Sequence, residues 1–121
     1  MNFRMTIAAM CAGLVLAGGA LAQDFKKMGG VLVNGAGMTL YTFDRDSGGK
    51  SACNGPCATN WPPLMAGEAD KPSGDYSIVT RDDGKKQWAF KGKPLYFWSK
   101  DMKAGDKTGD GFNNMWHVAK P

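Results

Sequence analysis

A ten-residue segment that recurs at a fixed distance constrains this chain more than any other feature. Gly37 to Asp46 reads G-M-T-L-Y-T-F-D-R-D and Gly92 to Asp101 reads G-K-P-L-Y-F-W-S-K-D, offset by 55 positions. Gly, Leu, Tyr, an aromatic residue and Asp coincide without a gap, and the same offset carries Trp61 onto Trp116. Each unit therefore holds Leu-Tyr-x-aromatic-x-x-Asp, 14 further residues and a Trp. So many matched landmarks mark a duplicated unit, about 30–66 and 85–121. A unit of this length cannot bury a core alone, so the two are expected to share one.

The local pattern is strand, turn, strand. Val31 to Val33 is β-branched and apolar, Asn34-Gly35 is a turn signal, and Met38 to Phe43 resumes as strand. Tyr76 to Thr80 and Gln87 to Phe90 read as strands around Asp82-Asp83-Gly84, and Lys91 to Pro94 turns the chain into Leu95 to Trp98. A last strand is expected over Met115 to Val118, and Pro62-Pro63 with Gly67 to Pro72 as the connector between units. The 17 Gly and 6 Pro exclude a helical bundle, and 121 residues leave no room for a second domain. The expected fold is mainly β, a compact antiparallel β domain from two tandem repeats with pseudo-two-fold symmetry.

Residues 1–22 read as a cleaved signal peptide, with Arg4, an uncharged run from Met5 to Ala20, and a small-x-small site at Ala20-Leu21-Ala22. The apolar run is short for a membrane span. Cys11 lies inside that run behind Met10, a poor lipidation box, so a lipid anchor is not expected. The domain then covers 23–121, is periplasmic or secreted, and meets an oxidising compartment. The formal net charge of +4 is modest and mixed with acids. Lys85, Lys86, Lys91 and Lys93 crowd one stretch that could touch an anionic surface, but no aromatic and basic interleaving suggests nucleic acid.

Tyr41-Thr42-Phe43-Asp44-Arg45-Asp46 and Tyr96-Phe97-Trp98-Ser99-Lys100-Asp101 resemble the Y-x-(F/W/Y)-x-x-D motif of a bacterial family of secreted repeats, predicted lipoproteins of unknown function. Cys53-Asn54-Gly55-Pro56-Cys57-Ala58-Thr59-Asn60-Trp61-Pro62-Pro63 is similar to that family's C-x-G-x-C-A-x-x-W-P-P segment. The resemblance implies a two-repeat secreted domain and brings no activity with it.

Cys53 and Cys57 are the cysteines left after cleavage, and an even count after export favours a disulfide across Gly55-Pro56. The competing reading is copper, held by Cys53, Cys57 and His117 as a soft ligand set. Under the offset of 55 the two cysteines fall on Thr108 and Phe112, which points to a local staple. Asp106, Thr108 and Asp110 before Gly111 have the spacing of half a calcium loop, but position 117 offers His where a carboxylate should close it. Asp-Gly turn chemistry accounts for the segment as well.

Tyr41 with Asp46 and Tyr96 with Asp101 have the chemistry of an acid–base pair. An enzyme does not need one pair twice in so small a domain. Buried tyrosines satisfied by an Asp past the strand end fit the duplication better, with Trp61 and Trp116 packing across the dyad and Phe43 and Trp98 as the aromatic residues of the structural motif. His117 has no evident partner in sequence, although Met115 two positions before it would share its strand face. These residues predict a monomeric, non-enzymatic module without a cofactor, with a cell-envelope partner or a small ligand to bind. Copper handling is the alternative.

Overall fold

The computed structural model describes residues 24–121, so the expected signal peptide lies outside the described residues. The fold is mainly β, and its sheets are antiparallel. Strands β1 (Phe25–Met28) and β2 (Val31–Asn34) form a hairpin, and β3 (Tyr41–Phe43) pairs with the final strand β7 (Trp116–Val118). Between them, β4 (Tyr76–Thr80), β5 (Lys86–Phe90) and β6 (Lys93–Pro94) make a three-stranded sheet. A short helix, α1 (Pro56–Asn60), precedes Trp61, and a 3-10 turn (Phe112–Asn114) stands at the same place before Trp116. Among the described residues no helix is long and apolar enough to cross a membrane.

The two units are interlocked. Tyr41 and Tyr96 face each other as antiparallel partners and exchange both backbone bonds, 2.8 and 2.9 Å, so the pseudo-dyad runs between them. Val118 pairs with Tyr41, and Pro63, its equivalent in the first unit, pairs with Tyr96. Each unit's returning segment therefore lies against the other unit's motif strand. Two closed sets of backbone bonds record the exchange. Leu32 N–H donates to Ala119, Ala119 to Leu40, and Leu40 to Leu32, at 2.8, 2.8 and 3.0 Å. Trp88 donates to Leu64, Leu64 to Leu95, and Leu95 to Trp88, at 2.8, 3.0 and 2.9 Å.

Side-chain alternation along the motif strands then builds two cores. Tyr41, Tyr96 and Trp98 point into one with Trp61, Trp116, Val31, Val33 and Cys53. Leu40 and Leu95 point into the other with Leu32, Leu64, Trp88, Phe90 and Ala119. Both draw on both units, which is how two fragments too small to fold alone share one interior.

Three points differ from expectation. The turn takes only Lys91-Gly92, so the strand expected over Leu95 to Trp98 lies instead at β6, Lys93–Pro94, and beyond it only Tyr96 forms bridges. Pro62-Pro63 is not connector. The Pro62 carbonyl accepts from Phe97 N–H (2.7 Å) and Pro63 forms an isolated bridge with Tyr96, so the two prolines pair with the other unit at positions that need no N–H donor. β1 went unrecognised because Phe-Lys-Lys-Met has no apolar alternation. It is held instead by Phe25, whose ring stacks on Tyr76 at 3.8 Å and meets the edge of Trp88 at 5.3 Å.

Candidate functional site

The motif residues converge on the dyad. The Tyr41 hydroxyl donates to Asp101 Oδ2 and the Tyr96 hydroxyl to Asp46 Oδ2, both at 2.7 Å. Each tyrosine thus reaches the aspartate of the other unit, not its own as the local reading implied. The aromatic side chains follow the same dyad. Trp61 and Trp116 stack at 3.8 Å and 1° between planes, Phe43 lies on Trp116 at 4.1 Å, and Trp98 on Trp61 at 4.0 Å. The result is a four-ring ladder, Phe43–Trp116–Trp61–Trp98, flanked edge-on by Tyr41 and Tyr96.

Both tyrosines are 0% exposed, so no substrate reaches either phenol. Burial, helped by the hydrogen-bonded aspartate, pushes both hydroxyls well above the ordinary tyrosine value. A proton held that tightly serves a structural bond better than acid–base transfer.

The loops that follow the two motifs differ. In the first, Cys53 and Cys57 are joined as a disulfide with Cα atoms 5.2 Å apart. The sequence reasoning missed the group that anchors this loop, the buried Arg81. Its guanidinium donates to Ser51 Oγ (3.0 Å), Gln87 Oε1 (2.8 Å), the Cys53 carbonyl (2.7 Å) and Asn54 Oδ1 (3.2 Å). Arg81 can only donate and an ionised Asp46 can only accept, so the hydroxyls between them take one direction. Ser51 donates to Tyr96 (2.6 Å), and Tyr96 donates to Asp46. Asp46 also accepts Ala52 N–H at 2.6 Å. Burial raises the Asp46 carboxyl above the usual aspartate value, opposed by the Ala52 and Tyr96 bonds and by Arg81. Nothing in the local sequence distinguishes Arg81 from an ordinary turn residue.

The second loop uses acids. Asp101 Oδ1 accepts Thr108 N–H (3.0 Å) and Thr108 Oγ1–H (2.6 Å). Asp106 accepts Met102 N–H (2.8 Å) and Lys103 N–H (3.2 Å), bonds that lower its carboxyl. Asp110 accepts Val118 N–H at 3.1 Å. Gly109 is required by close approach: a Cβ there would stand 2.6 Å from Trp61 and 2.9 Å from Trp98.

For the metal readings, the cysteine sulfurs are bonded to each other, and His117 Nε2 lies 2.9 Å from Asp44 Oδ2. The Met115 sulfur lies 3.2 Å from Arg45 Nε, and Met115 packs against the first core, whereas His117 is exposed. Among the described residues no three His, Cys, Asp or Glu side chains converge as a cation site.

Accessible clefts lie elsewhere among the described residues. A cleft of about 520 Å³ lies along β7 and the β5–β6 turn, with Thr42, Asp44, Lys91, Lys93, His117 and Lys120 in its lining. A smaller recess of about 140 Å³ shares Thr42, Asp44 and Lys93 with it and includes Asp46.

Fold and interior together define a class: a β module made of two interlocked copies of one unit. The family model described as a secreted repeat of unknown function, Lipoprotein_15, matches residues 25–65 and again 77–120, and the chain belongs to that family. Each matched span runs from a first hairpin to a returning segment, the pieces that the units exchange. No curated protein and no solved structure matches the chain.

Proposed function

We propose that the chain is exported through cleavage after Ala22 and acts in the periplasm or outside the cell as a monomeric, non-enzymatic binding or envelope-associated module. The observation that carries this reading is the use made of the two Tyr–Asp pairs. Both tyrosines and Asp101 are buried, Asp46 is half-buried, and each pair ties one unit to the other. The chemistry-bearing motif is thereby committed to architecture, and an open, charged cleft is left to meet a ligand. The disulfide favours residence in an oxidising compartment.

Cell fractionation followed by intact-mass measurement without reductant tests the proposal. The expected species is a periplasmic or extracellular chain beginning at Gln23 and lacking two hydrogens. A cytoplasmic chain that retains residues 1–22, or a mass carrying lipid or copper with both thiols intact, would contradict it.

A further inference from the structure

The basic stretch noted in the sequence acquires a position in the fold. Lys91 is the first residue of the two-residue turn between β5 and β6, Lys93 follows that turn, and Lys120 follows β7, so segments distant in sequence bring three ammonium groups to one cleft. The acids in the same lining have other partners. Asp44 is within 2.9 Å of His117, and Asp110 accepts the Val118 N–H. The three lysines are exposed, and none forms an ion pair within the described residues.

Lys91 carries a second observation. The turn Lys91-Gly92 has φ of 49° and 83°, left-handed at both positions as a type I′ turn demands. Asn-Gly meets that demand with less strain than Lys-Gly. Here a lysine occupies the left-handed position and holds its Nζ 5.3 Å from the Phe90 ring, at the edge of the cleft. A charged side chain held in a left-handed position beside a cavity, its ammonium resting near a ring and paired with no carboxylate among the described residues, suits a contact made outside the chain.

We propose that this cleft binds a small organic or inorganic polyanion, a molecule with two or more carboxylate or phosphate groups. Its size falls within the range of small-molecule sites. Three separate cations ask for more than one negative group. Lysine offers a point charge without the fork by which arginine selects planar oxyanions, so both oxygen chemistries fit. Thr42 and His117 supply polar groups in the same lining. The proposal deepens the binding-module reading and rests on it.

The test is an NMR shift titration of the mature, oxidised protein with citrate, with pyrophosphate, and with acetate as the monoanion. The expected result is saturable shifts at Thr42, Lys91 to Lys93 and His117 to Lys120 with citrate or pyrophosphate, weakened by salt. Whichever of the two binds identifies the oxygen chemistry. The variant Lys91→Asn/Lys93→Gln/Lys120→Gln keeps the turn and is expected to lose affinity about tenfold or more. Its thermal midpoint, read beside the titration, separates that loss from misfolding, and Lys91→Asn alone is expected to leave the midpoint unchanged or raise it. Shifts located elsewhere, equal binding of acetate, equal binding by the triple variant, or no binding at millimolar anion would each overturn the proposal. Failure with the chain still exported and oxidised would leave the broader reading standing.

Discussion

The loops after the two motifs descend from one plan and have reached the same end by different chemistry. Both place a Trp on the dyad through a short helical turn, and both hold a carboxylate to a tyrosine of the opposite unit. The first loop is fixed by a covalent bond and a buried guanidinium, the second by three carboxylates that accept backbone and hydroxyl hydrogens. At equivalent positions Cys53 answers to Thr108, and a sulfur bridge to a hydroxyl bond on Asp101. What the duplication preserves is therefore the contact across the dyad, and the means of supporting it are free to differ.

Variants sharpen that distinction. Trp61→Ala and Trp116→Ala remove the shared part, and each is expected to cost about 3–5 kcal/mol by chemical denaturation. A large inequality between them would argue against equivalent roles. Arg81→Met attacks support found in the first loop only. It leaves Ser51, Gln87 and the Cys53 carbonyl short of a donor, an expected cost of about 3 kcal/mol. Cys53→Ala/Cys57→Ala opens a small ring and is expected to cost about 1–3 kcal/mol. Thr108→Val, its counterpart, should cost about 1 kcal/mol.

Acid and alkali separate the loops in another way. The Asp46 carboxyl is raised in the folded state, so the fold binds its proton more tightly than the unfolded chain does. Its contribution makes stability rise as pH falls through the raised value towards about 3.9. Asp106 is lowered, so its contribution is present above about pH 3.9 and is lost as pH falls through the lowered value. Denaturation series across acid pH should therefore show opposite changes of slope for Asp46→Asn and Asp106→Asn. Tyr41 and Tyr96 act at the other limit. Their raised phenols give stability that is complete below about pH 10 and lost as pH climbs above it. Tyrosinate absorbance from both should appear only with unfolding.

The sequence made the dyad legible because a constant offset fixes which residues are equivalent whatever their local structure. Trp61 against Trp116 follows from that offset, and so does a shared core. Which unit each Tyr serves does not follow. Strand and turn patterns describe neighbours in sequence, whereas the exchange of returning segments is a choice between pairings with the same local signals. Pro62-Pro63 concealed its bridge to Tyr96 because proline is ordinarily a breaker, and β1 concealed itself behind Lys26-Lys27. Arg81 and Asp44 gain their roles from contacts made far along the chain.

Double-mutant cycles on the Tyr–Asp pairs test the interlock most directly. Tyr41→Phe is combined with Asp101→Asn and, separately, with Asp46→Asn; Tyr96→Phe is combined with the same two. Coupling of about 1 kcal/mol is expected for Tyr41 with Asp101 and for Tyr96 with Asp46, with additivity in the other two combinations. Coupling confined to Tyr41 with Asp46 and Tyr96 with Asp101 would mean that each unit closes on itself, and the interlocked account would fail.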